Sequence, residues 1–350
     1  MKKLGFDRAA LLVLLAVLCV LPFTATGYVL YVVNLLMVFV VLALGMHIVL
    51  GEAGQFALSH TAFYGIGIYT AGLINAHWHP PFPVSIIAGG VLSAALGYVI
   101  GFLALRMRDI YLALATFAFG EAMQWVFLNW EKVTGGSNGM RMNPAELFGL
   151  RLTNDLQAYP FVLALTALML WITVLLSRSQ FGSALRAVRE SDVAATAMGI
   201  NARAMKQAAF AISAAFAGIA GGMYTLFVSF VHPDSLGFET TIQVLTMVVV
   251  GGIGSIRGAV AGALAFGTLS ELLRQALSIQ EIIFGAILMG FMMFKPRGLF
   301  AERRKRAARA AGGDAVDSQL GPLQREGSLN KASFVRDSEM RDSATHGSQA

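Results

Sequence analysis

Long apolar runs alternate with short polar junctions along most of this chain. The runs fall at about 9–23, 28–50, 57–76, 83–105, 110–130, 159–177, 207–231, 240–251, 258–274 and 279–294. A hydrocarbon layer about 30 Å thick is crossed by about 20 helical residues rising 1.5 Å each. The pattern therefore predicts an all-α polytopic membrane protein of about eight to ten transmembrane or half-membrane helices. Two runs stand apart. Segment 240–251 is too short to cross and reads as a half-helix. Segment 57–76 carries Ser59, His60, Tyr64, Gly65, Gly67, Tyr69 and Thr70. That is too polar for a lipid-facing helix, so it is expected to face the protein interior.

The junctions set the orientation. Lys2, Lys3 and Arg8 precede the first run, and Arg106 and Arg108 follow the fourth. Arg178, Arg186, Arg189, Arg203 and Lys206 follow the sixth, and Lys295, Arg297 and Arg303 to Arg306 follow the last. Basic loops stay in the cytoplasm, which places both termini there. The opposite loops, His77–Phe82, Glu131–Tyr159 and His232–Glu239, are neutral, mixed or acidic. Parity holds only if 240–274 is a re-entrant hairpin that enters from outside, with its tip at Gly251–Gly258 pointing to the cytoplasm.

Composition agrees with the pattern. Of 350 residues 56% are hydrophobic and 13% charged, against about a quarter charged in soluble domains. The net charge of +6 resides at the junctions, where it orients the chain; no nucleic-acid partner is implied. The single cysteine, Cys19, excludes a disulfide framework and a cysteine metal site within one chain. Met1-Lys-Lys and the run Ala9–Val20 resemble a secretory signal, but apolar sequence resumes at Tyr28, and the segment reads better as a first anchor. Residues 301–350 open with a basic cluster, suited to anionic lipid heads, and continue polar. They are expected to form a disordered cytoplasmic tail behind a 1–300 membrane domain.

Five stretches carry candidate chemistry. Residues 178–206 form a cationic element between two apolar helices. Phe181, Leu185 and Val188 share one helical face, and Arg186 and Arg189 lie on another. Ser191 or Asp192 can start a second short helix and Gly199 can end it. Such helices fit a partner's groove, and equally fit a plain interfacial anchor. In the early block Gly51 and Gly54 permit a break between helices near Gln55 and Ser59, the way transporters expose backbone to a solute. Tight packing around a polar hinge would use the same residues. Glu52, at the turn, reads as a helix-start residue. Glu121 is the strongest intramembrane acid; a structural hydrogen bond to Thr116, Asn34 or His60 is preferred over a place on the path. Thr134–Gly139 either shapes an outer mouth or is a Gly/Asn turn.

Gly251-Gly-Ile-Gly-Ser-Ile-Arg-Gly258 lacks Gly-Lys-Ser/Thr and the dinucleotide spacing, so it binds no nucleotide. Gly251, Gly252, Gly254 and Arg257 there suggest a cytoplasmic contact or inner gate. His77 and His79 lack a third metal ligand, and no catalytic arrangement is present.

The block Glu190-Ser-Asp-Val-Ala-Ala-Thr-Ala-Met-Gly199 resembles the "EAA" coupling loop of ABC-importer permeases. Together with Gly51 to Thr70, Tyr111 to Glu121, Val133 to Gly139, Phe210 to Tyr224 and Met247 to Gly262, it is similar to the LivM-type permease family of branched-chain amino-acid importers over roughly residues 28–300. The resemblance implies a non-catalytic permease subunit in the bacterial inner membrane. Its partners would be a homologous second permease, two cytoplasmic ABC ATPases and a periplasmic solute-binding protein. No cofactor would be bound by this chain; ATP and Mg would be used by the ATPases. Arg186, Arg189, Glu190, Asp192, Ala194, Ala195, Gly199 and Asn201 would then carry ATPase coupling. Gly51, Gly54, Gln55, Ser59, His60, Tyr64, Thr116 and Glu121 would lie on the substrate path. The substrate expected by default is a branched-chain amino acid, with urea, short amides and aromatic acids as alternatives. Rivals of other classes are a stand-alone ion-coupled transporter and a membrane scaffold.

Overall fold

The computed structural model describes residues 26–104, 109–147, 150–152 and 154–273, with a few isolated positions outside these stretches. The expected first anchor, the signal-like start, Cys19, Arg106, Arg108 and the 301–350 tail lie outside the described residues. The run 279–294 is described only at scattered helical positions. The chain divides into units 1–301 and 302–350, and every element below belongs to the first.

The helices are α1 (Gly27–Met46), α2 (His60–Trp78), α3 (Phe82–Ala104), α4 (Asp109–Asn129) and the short α5 (Glu131–Thr134). Then come α6 (Asp155–Arg178), α7 (Gln180–Glu190), α8 (Asp192–Ala197), α9 (Ala202–Tyr224), α10 (Phe238–Gly252) and α11 (Ile256–Leu273). Among the described residues six helices are long and apolar enough to cross a membrane: Gly27–Glu52, Phe82–Phe102, Tyr111–Asn129, Asp155–Arg178, Ala202–Tyr224 and Ile256–Leu273. The chain is an all-α polytopic membrane protein.

Helix α2 is missing from those six because its polar residues lower its hydropathy, and its packing matches. Thirteen of its nineteen residues are buried, so protein rather than lipid surrounds it. It is enclosed by α3 and α9, and α9 also packs on α3 and α1. Lipid tails are as apolar as leucine, so helices here associate by close fit rather than by escape from water. Small residues supply that fit. A Cβ on Gly67 would lie 2.6 Å from the Gly218 Cα, and one on Gly222 would lie 2.9 Å from the Ile86 Cα. Ser93 Oγ, buried between them, donates to the Phe63 carbonyl at 3.0 Å.

Helices α10 and α11 pair closely: a Cβ on Gly251 would collide with the Gly258 carbonyl, and one on Gly262 with the Met247 carbonyl. The short run at 240–251 becomes a helix of fifteen residues, about 22 Å long at 1.5 Å per residue. Its partner, by contrast, has the length and hydropathy to cross. The loop between them is made by Gly252 and Gly254, at φ 127° and 90°, values that L side chains resist.

Two small β ribbons lie at the other end of the bundle. Strand β1 (Met140–Arg141) pairs antiparallel with β4 (Phe230–Val231), with Met140 opposite Val231. Strands β2 (Ala145–Leu147) and β3 (Leu150–Leu152) form a hairpin, with Ala145 opposite Leu152. The Thr134–Gly139 element just before β1 is a turn built on three glycines, Gly135, Gly136 and Gly139, all at positive φ. Thr134 closes it by donating to the Phe127 carbonyl at 2.7 Å.

Candidate coupling site and solute path

At the end of α1 the helix widens. Residues His47–Glu52 form a π turn, and Ala53 N donates to the Ile48 carbonyl five residues back at 3.1 Å. π turns cluster at functional positions because they carry a surplus residue and displace side chains from the α register. The helix then stops. Gly54 has φ 70°, and residues 54–59 are without regular structure before α2 begins. Gly51 and Gly54 thus sit at a real break. Leu58 N is held by Thr116 Oγ1 at 3.0 Å, and that hydroxyl in turn donates to the Ala113 carbonyl at 2.9 Å.

The break is capped by the cationic element. Helix α7 starts at Ser179, whose side chain accepts from Gly182 N. Helix α8 starts at Ser191, whose hydroxyl accepts from Ala194 N at 3.2 Å. Gly199 follows α8 at φ 84°, and Asn201 caps α9 by accepting from Ala204 N at 3.1 Å. Each short helix is therefore delimited by the residue types that satisfy orphan backbone groups.

The arginines of α7 point into the body. Arg186 Nη1 donates to Glu52 Oε2 at 2.9 Å and to the Ser177 carbonyl at 2.8 Å. Arg189 donates to the Gly51 carbonyl, and a Cβ on Gly54 would meet Arg189 Cγ at 2.6 Å. Glu52, buried at 6% exposure, also accepts from Ser177 Oγ at 2.6 Å, and His47 Nε2 lies 3.6 Å away. The α10–α11 tip reaches the same place: a Cβ on Gly254 would lie 3.1 Å from Arg189 Nη1 and 3.7 Å from the Gly51 carbonyl. Arg257, at the start of α11, is exposed there. So Gly51, Gly54, Arg189 and Gly254 form one knot; the two glycines expected on a solute path lie under α7 instead.

The rest of the expected coupling set divides. Leu185, Val188 and Ala195 are buried against the body. Glu190, Asp192, Ala194, Gly199 and Asn201 are exposed, and Asp192 pairs with Lys206 Nζ at 2.6 Å. Two residues outside that set are the most exposed large apolar side chains of this element: Val193 at 81% and Met198 at 83%. An isolated valine and methionine in a polar stretch give no periodic signal, which is why the pattern did not single them out.

The expected path residues also separate. Gln55 and Ser59 are buried, and among the described residues their side-chain polar atoms have no hydrogen-bond partner. His60 Nε2 bonds the Leu42 carbonyl at 2.9 Å, and Tyr64 packs on Tyr224 with ring centroids 5.8 Å apart; both hold helices together. Glu121 corrects the structural expectation. It is exposed on α4, and the three proposed partners are engaged elsewhere, Asn34 on the Asp155 carbonyl, His60 on Leu42 and Thr116 on Leu58. Glu121 lines a shallow cleft with Leu58, Thr61 and Thr241, whose two hydroxyls meet at 2.5 Å.

A discontinuous helix with freed backbone, set inside a bundle of spanning helices, is the build of a membrane transporter. Sequence comparison is more specific. The model for the permease component of branched-chain amino acid transport systems matches residues 28–294, and the chain belongs to that family. It is 32% identical over 322 residues to the high-affinity branched-chain amino acid transport system permease protein LivM of Escherichia coli, covering 85% of this chain and 76% of that one. The corresponding LivH protein of Salmonella typhimurium is 27% identical over 287 residues, 75% of this chain and 90% of its own. A probable LivM permease of Methanocaldococcus jannaschii is 25% identical over 240 residues, 62% of this chain and 69% of its own. No solved structure gives a significant match. The chain is thus a multi-pass permease component of an ABC-type importer that works with other subunits.

Proposed function

We propose that this chain is the inner-membrane permease for branched-chain amino acids and that it receives mechanical work from cytoplasmic ATPases through α7 and α8. The single observation that carries the reading is the two-sided character of that element. Its inner face is fastened to the body by Arg186, Arg189, Leu185 and Val188, while α8 presents Val193 and Met198 outward at 81% and 83% exposure. Large apolar groups exposed on a short rigid helix beside charged residues suit insertion into a partner's groove. The arginines of this element assign its side to the cytoplasm. The hairpin tip at Gly254 and the end of the broken helix lie on that same side, next to Arg189. A homologous second permease would complete the pathway, and a periplasmic binding protein would deliver solute to the other face. ATP and Mg would be handled by the ATPases and not by this chain, which carries no phosphate loop.

The test is co-purification and uptake. Val193→Asp combined with Met198→Asp is expected to abolish retention of the ATPase subunits and leave the permease pair intact. Uptake of labelled leucine into proteoliposomes holding the full importer should be lost in parallel. Competition by isoleucine and valine, set against urea, amides and aromatic acids, assigns the solute. Retained ATPases and normal uptake in the double variant would refute the docking assignment.

A further inference from the structure

We propose that Glu52 is a positioning residue for force transfer, clasping α7 to the break in the first membrane helix so that the two move as one body. The inference rests on the reading that α7 and α8 receive the partner subunit, and it concerns what happens to the force after that.

A carboxylate at 6% exposure is costly to keep unless its oxygens are engaged. Glu52 engages both. Oε1 accepts from Ser177 Oγ at 2.6 Å and Oε2 from Arg186 Nη1 at 2.9 Å. Arg186 in turn reaches the Ser177 carbonyl at 2.8 Å and Ser183 Oγ at 3.2 Å. Three elements meet at this one side chain: the π turn that ends α1, the last turn of α6, and α7. One helical turn further along α7, Arg189 seizes the Gly51 carbonyl. Two attachments three residues apart fix the direction of α7 over the π turn as well as its position.

What lies next in the chain gives the clasp its use. Residues 54–59 are irregular backbone, enclosing the buried and unpartnered Gln55 and Ser59. The far end of this stretch is tied to α4 through Leu58 and Thr116. Force arriving at α7 therefore passes through Glu52 into the one irregular stretch that joins α1 to α2, with α4 as the fixed point. A plain staple that only keeps α7 on the bundle would use the same bonds, so the readout must separate the two. Loss of a staple weakens assembly and lowers hydrolysis and uptake together. Loss of a transmission part changes the amount of solute moved per ATP consumed.

The experiment uses the complete importer in proteoliposomes, with its binding protein and labelled leucine, and measures ATP hydrolysis and uptake side by side. Glu52→Gln removes the charge and keeps the shape. It is expected to keep the ATPases attached and hydrolysing while solute moved per ATP falls about tenfold, inside the usual range of site-to-site coupling. Glu52→Asp, which retains the charge, should recover most of that ratio. An unchanged ratio in Glu52→Gln, or a proportional loss of hydrolysis and uptake, overturns the proposal. Should Glu52→Gln fail to assemble, Ser177→Ala takes its place, removing one hydroxyl and leaving the ion pair; a wild-type ratio there overturns the proposal equally. The Val193 and Met198 variants report separately on docking. If those leave ATPases bound and uptake intact, the docking reading fails; if they behave as expected, an unchanged Glu52 ratio overturns this inference alone.

Discussion

The crossing of α2 and α9 permits a sharp test of how this bundle is held together. In Gly67→Ala the new methyl would lie 2.6 Å from the Gly218 Cα and 2.7 Å from its carbonyl carbon, where ordinary contact begins at 3.4 Å. The neighbour is backbone, so no side chain can swing away. Relief requires the helices to part by about 0.8 Å, the difference between 3.4 and 2.6 Å. A gap of that size forfeits about a quarter to a half of the dispersion energy of the facing atoms, and overpacking a tight site costs about 1–3 kcal/mol. Alanine's helix preference returns about 0.5–1 kcal/mol. The net expectation is about 1–2 kcal/mol of destabilisation. It should spread to α3, because Gly89 is packed on the same spot with a Cβ position 3.0 Å from the Gly67 carbonyl. Two other glycines serve as controls. Gly27→Ala, in a helix with nothing within 4 Å, should be neutral or slightly stabilising. Gly199→Ala has open space but φ 84°, and should cost about 1–2 kcal/mol of backbone strain confined to the α8–α9 turn. Thermal unfolding of the purified protein in detergent, followed by circular dichroism, ranks the three. If Gly67→Ala melts with Gly27→Ala, close helix approach is not what secures this core.

Two further substitutions probe the break and the surface helix. Thr116→Val removes the acceptor for the Leu58 amide; a buried unpaired N–H costs about 1–3 kcal/mol, so the unfolding midpoint should fall, while Thr116→Ser should match wild type. Ser191→Ala deletes the cap of the six-residue α8, a loss of about 1 kcal/mol; binding of the ATPase subunits should weaken about fivefold by titration, and Ser191→Asp should restore it.

The spans were legible because hydropathy is a local property, and α2 stood out as interior because its polar residues are consecutive in the chain. The short run at 240–251 foretold a helix too short to cross. Ser191 and Gly199 were readable as helix boundaries for the same local reason. What sequence hid was long-range direction. Arg186 and Arg189 were assigned to the face away from Phe181, Leu185 and Val188, and so to a partner. Their acceptors, Glu52 and the Gly51 carbonyl, lie 134 and 138 positions earlier, beyond any periodicity. Glu52 was read as opening a helix when it closes one, because a π turn carries no residue signature. Asn201 was placed in a docking set, yet its visible work is to cap α9. Glu121 was expected to pair inward; helical phase alone could not say that α4 turns it outward.

The π turn at His47–Glu52 has a consequence for how this protein can vary. Such a turn is an ordinary helix accommodating one supernumerary residue. Deleting Val49, for instance, would let the spiral relax to its regular pitch and swing Glu52 about 100° around the axis, away from Ser177 and Arg186. Substitutions between Met46 and Gly54 preserve that azimuth, whereas a single-residue gain or loss does not. The number of residues in this interval is therefore constrained independently of their identity.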